Sequence, residues 1–240
     1  MKVPGAMVCM RTGIRSVRVG RTVASWKNLE LLPFHCDTTT VQPPNIVVSH
    51  MVVDPLAWWV SEFPCTPPVG HVLRGALAER WVRFHSLPGS KRYPDSENEF
   101  EELLMRHRAV AGELFASGEK IYVYRCHLGE PKLKAGRRHQ IAGRQLRDCV
   151  VRFAAVDGPV GNEDYYFTRA LATLWEPDFF EPLIRQVAQW ELAGITFVSP
   201  RNGNMYCPYD GGMDVFCLPA TSCWIKERFG SWMSTHASQL

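Results

Sequence analysis

The chain has no run of eighteen apolar residues, so nothing in it is written as a membrane-spanning helix. The longest candidate, IVVSHMVVDPLAWWV, is broken by Ser49, His50, Asp54 and Pro55. No block of 7–15 apolar residues follows the early basic residues, and an export signal needs one. The eight cysteines therefore read as reduced thiols in a cytosolic protein, several of them buried as small apolar groups. No C-x2-C pair exists, which weighs against zinc. No GxxxxGK[ST], GxGxxG or G-x-S-x-G occurs, so no phosphate loop, dinucleotide fold or nucleophile elbow is signalled. No internal repeat is visible.

What is present is globular. With 46% hydrophobic and 21% charged residues, and eight tryptophans and twelve phenylalanines as anchors, a large core is assured. The net charge of +3 is unevenly placed. Residues 1–50 carry six Lys/Arg against two Asp/Glu, whereas the rest carries 21 against 22. A near-neutral body argues against a dedicated nucleic-acid surface. In 1–50, Arg11, Arg15, Arg18 and Arg21 recur at helical spacing as in a presequence, but Gly13, Gly20 and VQPPN interrupt. The expectation there is a disordered or misannotated extension, with Met51 the candidate true start, and one domain over 51–240.

From Asp54 the elements are legible. DPLAWWVSEF has a capping Asp and Pro at the first helical position, and VGHVLRGALAE is a second short helix. RWVRFHSL alternates as a strand, with Trp81, Arg83 and His85 on one side and Val82, Phe84 and Ser86 on the other. Ser96 and Glu99 form a capping box for a helix whose apolar stripe runs from Phe100 to Phe115 and which Gly118 closes. KIYVYRCHL, DCVVRFAAV and YYFTRALATLW read as strands, and EPDFFEPLIRQVAQWEL as a helix. GITFVS and NMYC are strands around an Asn-Gly hairpin signal, MDVFCL is another, and TSCWIKERFGSWMS is a helix broken at Gly230. Tight turns between consecutive strands imply antiparallel pairing. The fold class is α+β, a mostly antiparallel sheet with helices packed on one face.

Four features carry candidate chemistry. Lys91 and Arg92 precede a helix start, with Arg83 and His85 on the strand before them, and could grip an anion; the plainer reading is a turn shaped by Pro88, Gly89 and Pro94. The segment 128–147 holds six Lys/Arg and one Glu but no aromatics for base stacking, and reads as a solvated insertion. Cys126, His127, His139 and Cys149 share a third of the chain without zinc spacing. In CPYDGGMDVF, Gly211 and Gly212 suit a reversal that Asp210 could cap beside Tyr209. Asp214 lies in the next strand, where aspartate is disfavoured, and needs a partner: a core arginine or a cation.

Two stretches together resemble bacterial proteins of a domain-of-unknown-function family: the HSLP-x-SKRY loop within 83–94, and the PYDGG-x-D turn at 208–214. The resemblance spans most of 52–234. Some relatives carry Asp-Arg where this chain has Gly211 and Gly212, so no role for that arginine carries over. By analogy of size and style the family is similar to immunity and defence proteins, which implies a binding module with a protein partner. The expectation is therefore a non-catalytic cytoplasmic binder without cofactor or metal. Two alternatives stand beside it. One is an enzyme or phosphate-binding protein using Arg83, His85, Lys91, Arg92, Tyr209, Asp210 and Asp214. The other is a nucleic-acid accessory protein using the basic loop.

Overall fold

The computed structural model describes residues 54–129, 140–141, 144–146, 151–154 and 165–233. The expectations for 1–50 lie outside these residues, as do His139, Cys149 and most of the basic loop.

Among the described residues, nine strands and five α-helices follow in chain order. They are α1 (Pro55–Glu62), α2 (Gly70–Ala76), β1 (Trp81–His85), α3 (Glu97–Leu114), β2 (Lys120–Gly129), β3 (Gln140–Ile141), β4 (Arg144–Gln145), β5 (Val151–Ala154), β6 (Tyr165–Leu174), α4 (Pro177–Ala188), β7 (Ile195–Val198), β8 (Met205–Tyr209), β9 (Gly212–Phe216) and α5 (Pro219–Arg228). Seven strands form one sheet in the order β1-β9-β8-β7-β2-β6-β5, and each adjacent pair runs antiparallel. The α+β reading is correct. Among the described residues, no helix is long and apolar enough to cross a membrane.

Local chemistry sets the helix starts. Asp54 Oδ1 accepts from the backbone N–H groups of Leu56 (2.8 Å) and Ala57 (3.2 Å), ahead of Pro55. Ser96 accepts from the Glu99 N–H at 3.3 Å, but Glu99 turns to the Asp95 N–H (2.6 Å) and Lys91, so only half the expected capping box forms. Gly118 (φ 73°) lies past the end of α3 and turns the chain into β2.

Because strand side chains alternate, the sheet carries two cores. Val82, Phe84, Ile121, Val123, Phe197, Tyr206, Met213 and Val215 face α3, α4 and α5, as the one-face expectation has it. The two short helices sit on the other face, where Leu56, Trp59 and Leu73 meet Tyr122, Tyr124, Cys207 and Phe216. Ile141 and Leu146 are buried with the first core. The β3–β4 hairpin is therefore anchored, not merely solvated as expected for 128–147, and Arg144 there is bonded to Thr173 and Glu176.

Inside the first core sits one polar chain. His107 of α3 is hydrogen-bonded to Ser86 (Oγ···Nε2 2.8 Å) and Tyr206 (OH···Nδ1 2.5 Å), and all three are buried. A neutral imidazole has one donor and one acceptor, and hydroxyls can match either, so the chain is satisfied without charge. Burial holds the His107 pKa down at about 3. The helical stripe foresaw Leu103, Leu104, Val110 and Leu114 but not His107 or Arg106 between them.

The Asp210-Gly211 reversal differs from expectation in its cause. Neither Gly211 nor Gly212 lies in the left-handed region. Gly212 is needed because β1 passes over it: a Cβ there would sit 2.3 Å from the Phe84 carbonyl oxygen and 2.7 Å from the Tyr209 hydroxyl. At Gly211 the nearest atom would be 3.5 Å away.

Gly212→Ala is expected to cost about 3 kcal/mol or more in chemical denaturation, and Gly211→Ala less than about 1 kcal/mol. For His107, the folded pKa lies below the unfolded one near 6.5, so the unfolded chain takes up the proton first as pH falls. Stability is full above about pH 6.5 and declines towards pH 3 by up to about 1.4 kcal/mol per unit from this group. The slope of unfolding free energy against pH in that window should shrink by one proton in His107→Gln.

Candidate functional site

The site is built on the face that carries the short helices. β9 places Asp214 between two neighbours, opposite Arg83 on β1 and opposite Cys207 on β8. Asp214 is 1% exposed, which in a strand demands that its carboxylate be fully bonded. It is. Oδ1 accepts from Trp81 Nε1 at 2.9 Å and Arg83 Nε at 3.2 Å. Oδ2 accepts from Arg74 Nε at 2.9 Å and lies 2.7 Å from Arg74 Nη2. Trp81 and Arg83 are present because β1 alternates as foreseen. Arg74 is delivered by α2, which lies close because its first residue is Gly70: a Cβ there would meet Asp214 Oδ2 at 3.0 Å and Cys207 Cβ at 3.2 Å.

Tyr209 completes the cluster. Its ring lies 5.8 Å from the Arg74 guanidinium carbon and 5.2 Å from that of Arg83, and Trp81 is 5.6 and 5.3 Å from the same two groups. Two cations thus share two aromatic faces and one carboxylate. Burial pushes the Tyr209 hydroxyl up to about 12, so it stays protonated at neutral pH.

Beside this cluster opens a cleft of about 470 Å³. Its floor crosses the sheet through Cys207, Ile195, Cys126 and Tyr166; α2 gives one wall with His71 and Arg74, and Trp190–Gly194 the other. His71 Nε2 and the Tyr166 hydroxyl are 2.8 Å apart, and His127 stacks on Phe167 with ring centroids 5.6 Å apart. Burial raises the thiols of Cys126, to about 12, and Cys207, so neither is a nucleophile at neutral pH. Asp210 and Asp214 line this space, and so does Tyr209.

The seven candidate residues are not one constellation. Arg83, Tyr209 and Asp214 meet. Asp210 belongs to a second, outer pair, accepting from the Tyr93 hydroxyl at 2.9 Å and facing Arg92 Nε at 3.4 Å. Lys91 is elsewhere, pinned to Glu99 at 2.6 Å and Asp95 at 2.7 Å, and those partners raise its pKa. His85 stays behind the turn with Nε2 buried and without a hydrogen-bond partner among the described residues; burial and then Arg83 and Arg106 lower its pKa. The basic loop 83–92 is therefore not a single anion grip: its charges diverge to three sites. Asp210 and Asp214 likewise hold different partners and do not converge on one cation.

Sequence reading missed His71, Arg74 and Tyr166. The available signal was His71 and Arg74 at i, i+3 in a short helix bracketed by Gly70 and Gly75, which puts both on one face.

Residues 69–237 match the model of the family described as Domain of unknown function (DUF3885). The chain belongs to this family. No curated protein and no solved structure matches it. The matched span begins one residue before Gly70 and includes every residue of the Asp214 cluster and the cleft, so the site lies wholly within the family's domain.

Exchanging Asp214 for Asn leaves Arg74 and Arg83 against a neutral group in a buried setting, and should cost about 3–5 kcal/mol. Asp210→Asn, whose partners Tyr93 and Arg92 are exposed, should cost under about 1 kcal/mol. Urea denaturation of the two variants checks this ordering.

Proposed function

We propose that this DUF3885 domain is a non-catalytic binding module whose cleft takes a small molecule through a carboxylate or phosphate group held by Arg74. The observation that carries this reading is Arg74 at the inner end of the cleft: its guanidinium shares Asp214 with Arg83, while Asp210, the other carboxylate of the lining, is paired with Arg92 and Tyr93. Arg74 is the accessible one, its side chain 25% exposed against 6% for Arg83. It spends Nε and Nη2 on Asp214, and Nη1 has no hydrogen-bond partner among the described residues. A preset guanidinium with spare donors, at one end of an otherwise largely apolar space, is the usual way a protein orients an anionic ligand. The volume falls within the range of small-molecule sites, roughly 300–1,000 Å³.

The non-catalytic part rests on how the ionisable groups are used. Asp214 is saturated by three donor side chains, Tyr209 holds its proton, and the two thiols are protonated; each is better placed to position than to transfer a proton. The analogy with bacterial immunity proteins, which favours a protein partner, and the alternative of a phosphate-binding protein both remain compatible with a binding role. The cleft favours the second, with Arg74 in place of Lys91 and Arg92.

Titration with inorganic phosphate and with acetate, followed calorimetrically, tests the reading. At least one should bind saturably, and Arg74→Gln should weaken it tenfold or more while the folded spectrum is kept. No saturable binding by either anion, or binding indifferent to Arg74→Gln, would overturn it.

A further inference from the structure

The wall of the cleft opposite α2 holds a residue that neither packing nor turn geometry accounts for. Trp190 is 59% exposed, so the core does not require an indole there. Its backbone lies in the left-handed region at φ 64°, just past the end of α4, where glycine or asparagine is the unstrained choice. A bulky side chain in that conformation is a true outlier, and such outliers collect at ligand sites. The backbone around it is held firmly. The N–H groups of Glu191 (2.9 Å) and Leu192 (3.3 Å) donate to the Gln186 carbonyl, and Cys126 N–H donates to Gly194 O at 2.7 Å. Gly194 itself, at φ 70°, is pressed so closely on β2 that a Cβ would lie 1.8 Å from the Cys126 carbonyl oxygen. The chain thus presents a large aromatic face at the cleft on a fixed support.

Resting on the anion reading above, we propose that Trp190 is a stacking platform, and that the ligand is a planar ring joined to a single carboxylate or phosphate, its ring on Trp190 and its anion on Arg74. A flat aromatic face exposed to water is matched best by another flat ring, since stacking removes both faces from solvent at little conformational cost. The rest of the cleft, lined by Val69, Leu128, Val187 and Ile195, would enclose the ring edges.

Matched probe pairs separate the ring from the anion: adenosine monophosphate against ribose 5-phosphate, and 1-naphthoate against cyclohexanecarboxylate. In at least one pair the aromatic member should bind tenfold or more tightly than its ring-free partner, and the pair that does so tells phosphate from carboxylate. Trp190→Gly should erase that gain, leave ring-free binding within about threefold, and leave the melting temperature unchanged or higher because the backbone strain is relieved; Trp190→Phe should keep most of the gain. If the ring-free anions bind through Arg74 but neither ring adds affinity, or the gain survives Trp190→Gly, the stacking role is wrong while the anion site stands. If no probe binds, or all bind equally well to Arg74→Gln, the anion site falls and the stacking role with it.

Discussion

The carboxylate of Asp214 is the constraint around which this side of the molecule is arranged. A charge with 1% exposure costs far more than any single contact returns unless donors surround it, so its neighbours are effectively dictated. Trp81 and Arg83 come from the adjacent edge strand and Arg74 from a helix above, which ties two separate segments of chain to β9 through one carboxylate. Gly70 follows from the same demand. A Cβ at this position would crowd Asp214 Oδ2 at 3.0 Å and Cys207 Cβ at 3.2 Å, so glycine eases the close approach of α2 that brings Arg74 to Oδ2. Removing the carboxylate therefore releases the helix and the edge strand together, whereas Asp210, four residues earlier in the turn before β9, serves an exposed pair and constrains little.

The cleft is a consequence of unequal coverage. Seven strands spaced about 4.8 Å apart make a sheet roughly 29 Å wide. On one face α3, α4 and α5 cover it with a continuous apolar layer. On the other face α1 and α2 have only eight and seven residues, about 12 and 10 Å of helix. They cannot span the width, and α2 is held at the β8–β9 end by Arg74. The uncovered floor between α2 and the Trp190–Gly194 segment is the cleft. Large apolar anchors such as Phe84, Phe197 and Tyr206 thus sit on one face, while the Asp214, Arg74 and Arg83 charges border the cleft on the other.

Much of the fold was legible because its signals are local. Asp54 before Pro55, Ser96 before an apolar stripe, and strict alternation through Trp81–His85 each fix an element without knowledge of the rest. The unease of Asp214 in a strand was legible too, and a core arginine was one of its two expected partners. What sequence order hid was convergence. Arg74 is 140 residues from Asp214, and Tyr166 is 95 from His71. Adjacency in sequence misled in the reverse sense: Arg83, His85, Lys91 and Arg92 look like one basic loop, yet alternation, the positive φ of Gly89 (63°) and Ser90 (58°), and the pull of Glu99 send them to separate places. The glycines of the Asp-Gly-Gly turn were assigned to backbone conformation when the real demand, at Gly212, is the close passage of β1.

The buried ion pair also solves a register problem. β1 has five residues and pairs with β9 alone in the sheet, so little hydrogen bonding opposes a slip. A shift by one residue would turn Arg83 into the apolar layer under α3 and α5 and bring Val82 or Phe84 against Asp214. Both exchanges strand a charge, which penalises the wrong register far more than it rewards the right one. Correct register then places the Phe84 carbonyl over Gly212 and Ser86 within reach of His107. The same contacts that hold the edge strand in place therefore leave Arg74 poised at the inner end of the cleft, and the site's geometry is inherited from the requirement that the edge strand be unique.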